Sequence, residues 1–116
     1  MIEAVEPVNY SALDALKSVL GGDFPVLIRD FRSQTACSLV KLELAIARAD
    51  RDAIANTAHL LKGSALSLHA KPLAALCRDL EALAPSAKKE LLEASVSNLH
   101  SAVGDVIKAL EEWAYQ

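Results

Sequence analysis

Ala58-His59-Leu60-Leu61-Lys62-Gly63-Ser64-Ala65, running on through Leu66-Ser67-Leu68-His69-Ala70, carries two patterns on one helix. At roughly 100° per residue, Ile54, Ala58, Leu61, Ala65 and Leu68 form one apolar stripe, the core side of an amphipathic helix. His59 points nearly the opposite way. Lys62 and Gly63 follow it by three and four positions, so the three share the solvent side. An imidazole beside a cation and a missing side chain adds little to packing. The same trio suits a phosphoryl group. Neutral imidazole is a nucleophile near pH 7, an ammonium offsets phosphate charge, and glycine leaves room for close approach. Ser64 could add a hydroxyl hydrogen bond to phosphate or partner. Ala55 and Leu66, on the face of His59, would form a shallow apolar docking patch.

Outward from this segment the chain reads as helices. Asn9 or Ser11 can cap a first short helix to about Leu20, with Leu13, Leu16, Lys17 and Leu20 facing inward. Gly21-Gly22-Asp23 interrupts it, and Asp23 reads as the next N-cap with Pro25 in the first turn. Phe24, Leu27, Ile28, Phe31, Thr35, Leu39, Leu42, Ile46 and Ala49 then recur at steps of three and four. They predict a rod of about 26 residues, near 39 Å at about 1.5 Å per residue. Asp50 can end it and cap the next helix, which should close near Leu68, where His69-Ala70-Lys71-Pro72 turns the chain.

Leu73, Leu76, Cys77, Leu80 and Leu83 mark a further helix, which Pro85 stops. Ser86 reads as the cap of the last, whose stripe is Leu92, Val96, Leu99, Val103, Val106, Leu110 and Trp113. Gly104 lies within that helix at a cost of about 1 kcal/mol relative to alanine. These patterns predict an all-α fold: an antiparallel four-helix bundle over residues 9–116 with a short extra N-terminal helix. Residues 1–8 lack periodicity and read as a tail or linker remnant.

Composition narrows the function. The 116 residues suit one domain, and 53% are hydrophobic but only 4% aromatic, so the core must be built from Leu, Ala, Val and Ile. A net charge of −3 argues against nucleic acid and anionic membrane surfaces as partners. No apolar run reaches the roughly 20 residues of a membrane span, and the acidic N-terminus does not read as a signal peptide. Cys37 and Cys77, each within a helical apolar pattern, read as reduced core thiols of a cytoplasmic protein. Neither a glycine-rich phosphate loop nor a kinase signature is present. A chain without nucleotide chemistry can relay a phosphoryl group but not start the relay.

The motif from His59 through Leu60, Leu61, Lys62, Gly63, Ser64 and Ala65, closed by Ala70, resembles the signature of histidine-containing phosphotransfer (HPt) domains of multistep two-component phosphorelays. The likeness covers nearly the whole chain, because the flanking helices fit that family's bundle. It implies a non-enzymatic phosphocarrier that accepts a phosphoryl group on His59 from one receiver-domain aspartate and passes it to another. Lys62 would stabilise the phosphate charge and Gly63 would leave space. The partner receivers, of a hybrid histidine kinase or a response regulator, would supply aspartate and Mg²⁺, so no cofactor is expected on this chain. A monomer is expected, either free-standing or as the cytoplasmic C-terminal module of a hybrid sensor kinase. One position departs: His69 stands where the family usually has Gly before the final Ala. Helix ends often require positive φ there, so a strained His69 or a reshaped turn is expected.

Two other functions fit parts of the pattern. A helical module could bind or sequester a partner through the same surface without phosphorylation. A metal-dependent bundle enzyme would need clustered ligands, whereas His69 and His100 read as ordinary surface or boundary residues and no Glu-x-x-His pair occurs. Asp79 and Glu81, like Glu111 and Glu112, read as parts of solvated faces.

Overall fold

The computed structural model describes residues 6–114. Helix α1 (Tyr10–Leu20) is followed by a single 3₁₀ turn (Gly21–Asp23) and then by α2 (Phe24–Ala47), α3 (Arg51–Ser67), α4 (Lys71–Leu83) and α5 (Lys89–Ala114). Helices α2 to α5 close into a ring in which α2 packs on α3, α3 on α4, α4 on α5 and α5 back on α2. The apolar stripes meet at the centre. Ile54, Ala58, Leu61, Ala65 and Leu68 of the α3 segment are buried, as are all seven stripe residues of α5 from Leu92 to Trp113. The fold is the expected all-α bundle, and its core is mainly aliphatic as the composition required, with Phe24, Phe31 and Trp113 the buried aromatics among the described residues.

The helix boundaries have local causes. Asn9 caps α1 by accepting from the Ala12 N–H at 3.1 Å, and Asp50 caps α3 by accepting from Ala53 at 3.1 Å. Helices α2 and α3 end in the same six-residue device. Asp50 N–H donates to the Ala45 carbonyl at 2.9 Å and Ala49 N–H to Ile46 at 3.1 Å. Likewise Ala70 N–H donates to Ala65 at 2.9 Å and His69 N–H to Leu66 at 3.1 Å. This Schellman pattern satisfies the last carbonyls and places one residue in the left-handed region. Those residues are Ala49 at φ 54° and His69 at φ 57°, so the turn keeps its shape and His69 carries the strain. The His69 carbonyl accepts the Asn9 N–H at 3.0 Å, tying the start of α1 to the end of α3.

Several local expectations need correction. Asp23 makes no side-chain capping bond, because its backbone is already helical (φ −82°, ψ −6°) as the 3₁₀ turn runs into α2. Helix α2 stops at Ala47, and Ala49 is exposed in the turn beyond it. Ser86 does not cap α5: the chain turns again through Leu83–Ala87, and the Lys88 carbonyl receives the first N–H bonds of α5. Lys17 is exposed and lies over the Trp113 ring at 5.0 Å rather than facing the core. Cys37 is exposed, because the buried side of α2 runs through Thr35 and Leu39 and leaves position 37 pointing away. Cys77 is buried as expected. Val8, assigned to the tail, is buried in the core, whereas residues 1–5 of that tail and Tyr115 and Gln116 lie outside the described residues.

Polar groups are used sparingly inside. Buried Thr35 donates its hydroxyl to the Arg32 carbonyl one turn back at 3.1 Å, which satisfies it within its own helix. Arg51 at the start of α3 donates to the carbonyls of Ala84 and Ala87 at 2.8 and 2.9 Å. It thereby fixes the turn after α4 against α3, the pair of helices that carries the site.

Candidate functional site

Helices α3 and α4 form an antiparallel pair joined by the tight turn at His69–Ala70. Burial of Ala58 and Leu61 on α3, and of Cys77 and Leu80 on α4, fixes how each helix is rotated. That rotation leaves His59 exposed and Lys62 half-buried along the seam, with Glu81 facing them from α4. The His59 side chain is 62% accessible, Lys62 27% and Glu81 33%.

One carboxylate meets both α3 groups. His59 Nδ1 lies 3.1 Å from Glu81 Oε2 and 3.4 Å from Oε1, and Lys62 Nζ donates to Oε1 at 3.3 Å. Partial desolvation works against ionisation of Glu81. The hydrogen bond and charge of Lys62, joined by His59, outweigh it and hold the carboxyl below its ordinary value. One turn earlier on α4, burial pushes the Cys77 thiol up to about 12; Lys62 partly offsets this and Glu81 adds to it. Cys77 is therefore a protonated packing residue and not a nucleophile.

The sequence-predicted residues divide into two groups around this seam. His59 and Lys62 come together as expected, and Gly63 lies exposed one turn from His59. A Cβ added to Gly63 would meet nothing within 4 Å, so packing within the bundle gives no reason for glycine there. Ala55 is half-buried against the core, and Leu66 is exposed beside a shallow cleft lined by Lys62, Lys71, Ala74, Ala75 and Arg78. Ser64 sits on the α2 side, where it lines a groove with Leu60, Cys37 and Lys41 and donates to the Leu60 carbonyl at 3.4 Å. The structure thus separates Ser64 from the His59–Lys62–Glu81 cluster.

Glu81 is the residue that sequence reasoning missed. A signal existed: in an antiparallel pair, positions equidistant from the turn face each other, and His59 and Glu81 are each eleven residues from Ala70. The remaining histidines stay apart from the site. His100 on α5 pairs with Glu43 on α2 at 2.6 Å, and His69 is committed to its turn. Among the described residues no group of three His, Cys, Asp or Glu side chains is placed to hold a metal ion.

This geometry agrees with what the chain is similar to. The model of the Hpt domain family matches residues 26–113, and the protein belongs to that family. Among solved structures it resembles the crystal structure of histidine-containing phosphotransfer protein B (HptB) from Pseudomonas aeruginosa PAO1. The two share 25% identity over 97% of this chain and 99% of that one, with a TM-score of 0.86. No curated protein matches the sequence. The protein is a histidine phosphotransfer carrier of phosphorelays, a class that interacts with the receiver domains of kinases and regulators.

Proposed function

We propose that His59 is the phosphoacceptor, taking a phosphoryl group from the aspartyl phosphate of one receiver domain and returning it to the aspartate of another. The observation that carries the proposal is the exposed His59 ring beside the Lys62 ammonium, with the open surface of Gly63 one turn on. Lys62 offsets the charge of about −1.5 to −2 that phosphorylation adds. Gly63 lets the partner backbone approach. Ala55 and Leu66 form the apolar bed for the docked receiver, and Ser64 contacts its edge on the α2 side.

Phosphoryl transfer is positioning and charge stabilisation, so a carrier needs no nucleotide site of its own. The receiver brings the acyl phosphate and Mg²⁺, and this chain brings the nucleophile and one cation. No helix among the described residues is long and apolar enough to cross a membrane. We place the carrier in the cytoplasm as a monomer, serving a hybrid kinase and a response regulator.

The test is phosphotransfer from a phosphorylated receiver, or from a small phosphoramidate donor, to wild type and His59→Gln, followed by intact mass. The expected result is one acid-labile phosphate that is absent from the mutant. Partner binding without any phosphate uptake from several donors would instead establish a sequestering module.

A further inference from the structure

We infer that α1 is a lid across one end of the bundle, opening as a unit about Gly21–Gly22 while α2 to α5 stay folded. The inference concerns the scaffold and stands whether or not His59 is the phosphoacceptor.

Helix α1 stands outside the ring that α2 to α5 close among themselves. Those four helices bury their stripes against one another, whereas α1 fully buries one side chain, Leu13. Val8, just before it, is the other buried apolar anchor. Tyr10, Leu16 and Leu20 are only partly buried against the core. The polar anchors reach the α3–α4 turn and the end of α5. Asn9 N–H donates to the His69 carbonyl at 3.0 Å, Asp14 accepts the Trp113 indole N–H at 3.0 Å, and Lys17 lies over that ring at 5.0 Å. Each of these polar groups can exchange its partner for water, so the closed state rests mainly on Leu13 and Val8. A segment with so few buried groups opens at a lower free energy than the core it covers.

The connection to the bundle is built to bend. Gly21 lies at φ 57° and ψ −125°, a combination that only glycine adopts freely, and its N–H closes α1 on the Lys17 carbonyl. Gly21 and Gly22 are exposed, and a Cβ at either would meet nothing within 4 Å, so no neighbour wedges them in place. On the bundle side of the hinge, buried Phe24 pins the first turn of α2. Once off the bundle, an 11-residue helix is too short to persist in water, so α1 detaches and unwinds together.

Opening has two consequences. It uncovers the Trp113 ring at the end of α5, and it frees the His69 carbonyl, removing the backbone bond that holds α1 to the α3–α4 turn. The His59–Lys62–Glu81 cluster draws no residue from α1 and is left in place. A ligand that prefers the open form would shift the two states by its differential affinity alone.

Native-state hydrogen exchange of the whole protein tests the lid. The amides of α1 from Leu13 to Leu20 should share one protection factor, at least about tenfold below those of Leu61, Leu99 and Val106. The Asn9 amide and the Trp113 indole N–H, each bonded across the lid, should lose protection in the same opening. Low urea should speed the α1 group only weakly, because its opening exposes little surface, and the bundle group steeply. Val96→Ala, buried on α5 far from Trp113, should lower bundle protection about tenfold and leave the α1 group unchanged. Leu13→Ala should lower the α1 amides, the Asn9 amide and the Trp113 indole by one common factor of about thirty or more. Equal protection in α1 and the bundle would overturn the inference, as would equal loss of both in Val96→Ala. So would protection that climbs steadily along α1 from its start, since that is fraying of a helix end and not a lid. If a variant does not fold, the urea series on wild type decides alone: one common slope for both groups overturns the lid.

Discussion

Replacing Ala49 by glycine should stabilise the protein, although the same change in most helical positions does the reverse. Ala49 is exposed, lies at φ 54° between α2 and α3, and uses its N–H and that of Asp50 to close the helix end. A left-handed conformation costs a residue with a Cβ roughly 1–2 kcal/mol, and glycine escapes that cost. The flexible glycine loses about 0.5–1 kcal/mol more backbone entropy on folding. The difference leaves a gain of about 0.5–1 kcal/mol, or a Tm rise of roughly 2–5 °C for a domain of this size. Urea unfolding should show a higher midpoint at unchanged slope. Ala94, exposed in the middle of α5, supplies the control, because Ala94→Gly should cost about 1 kcal/mol. Equal destabilisation by both changes would refute the assignment of a left-handed cap to Ala49, and with it the matching account of His69.

Further outcomes follow from the site and the core. Gly63→Ala should raise stability by about 1 kcal/mol, because the new Cβ meets no neighbour. It should also slow transfer from a receiver about tenfold, or 1.4 kcal/mol, with the small donor unaffected; equal receiver rates would show that the space is not used. In the native protein at pH 8 a thiol reagent should titrate Cys37 alone, with Cys77 reacting only in denaturant, since Cys77 is buried and raised to about 12. Glu81 ionises more readily folded than unfolded, so its stabilising contribution is complete above the ordinary carboxyl value of 4.5 and is lost as pH falls through its lower folded value. Acid unfolding of Glu81→Gln should therefore lack that part of the slope below pH 4.5, and superimposable acid limbs would refute the pairing.

Periodicity made most of this fold readable. The stripes of α3 and α5 are readable residue by residue because a 3.6-residue repeat over several turns has few alternatives. The failures came where local chemistry has two solutions. Asp23 has the residue type of a cap, but its own helical backbone, where the 3₁₀ turn runs into α2, leaves it without a capping bond. Cys37 is apolar by type but lies out of phase with Thr35 and Leu39, a matter of angle that composition does not carry.

The site was half legible for a similar reason. His59, Lys62 and Gly63 lie within one helical turn, so sequence spacing alone sets their arrangement. Glu81 lies on another helix, and its place depends on how α3 and α4 slide and rotate against each other. The tight turn at His69–Ala70 limits the slide, and buried Leu61 and Leu80 set the rotation. The turn closed by His69 at φ 57° therefore helps to bring the carboxylate into reach of the imidazole.

Trp113, the single tryptophan, is seated edge-on to Phe24 at 4.7 Å, beneath Lys17, with its indole N–H donating to Asp14 at 3.0 Å. All three partners belong to α1 or to the first turn of α2, segments that contribute nothing to the His59–Lys62–Glu81 cluster. Its fluorescence is thus a built-in optical gauge of whether α1 is docked. A chemist titrating the carrier with phosphodonor or receiver can watch a blank channel for integrity of the scaffold while the imidazole signal reports the reaction.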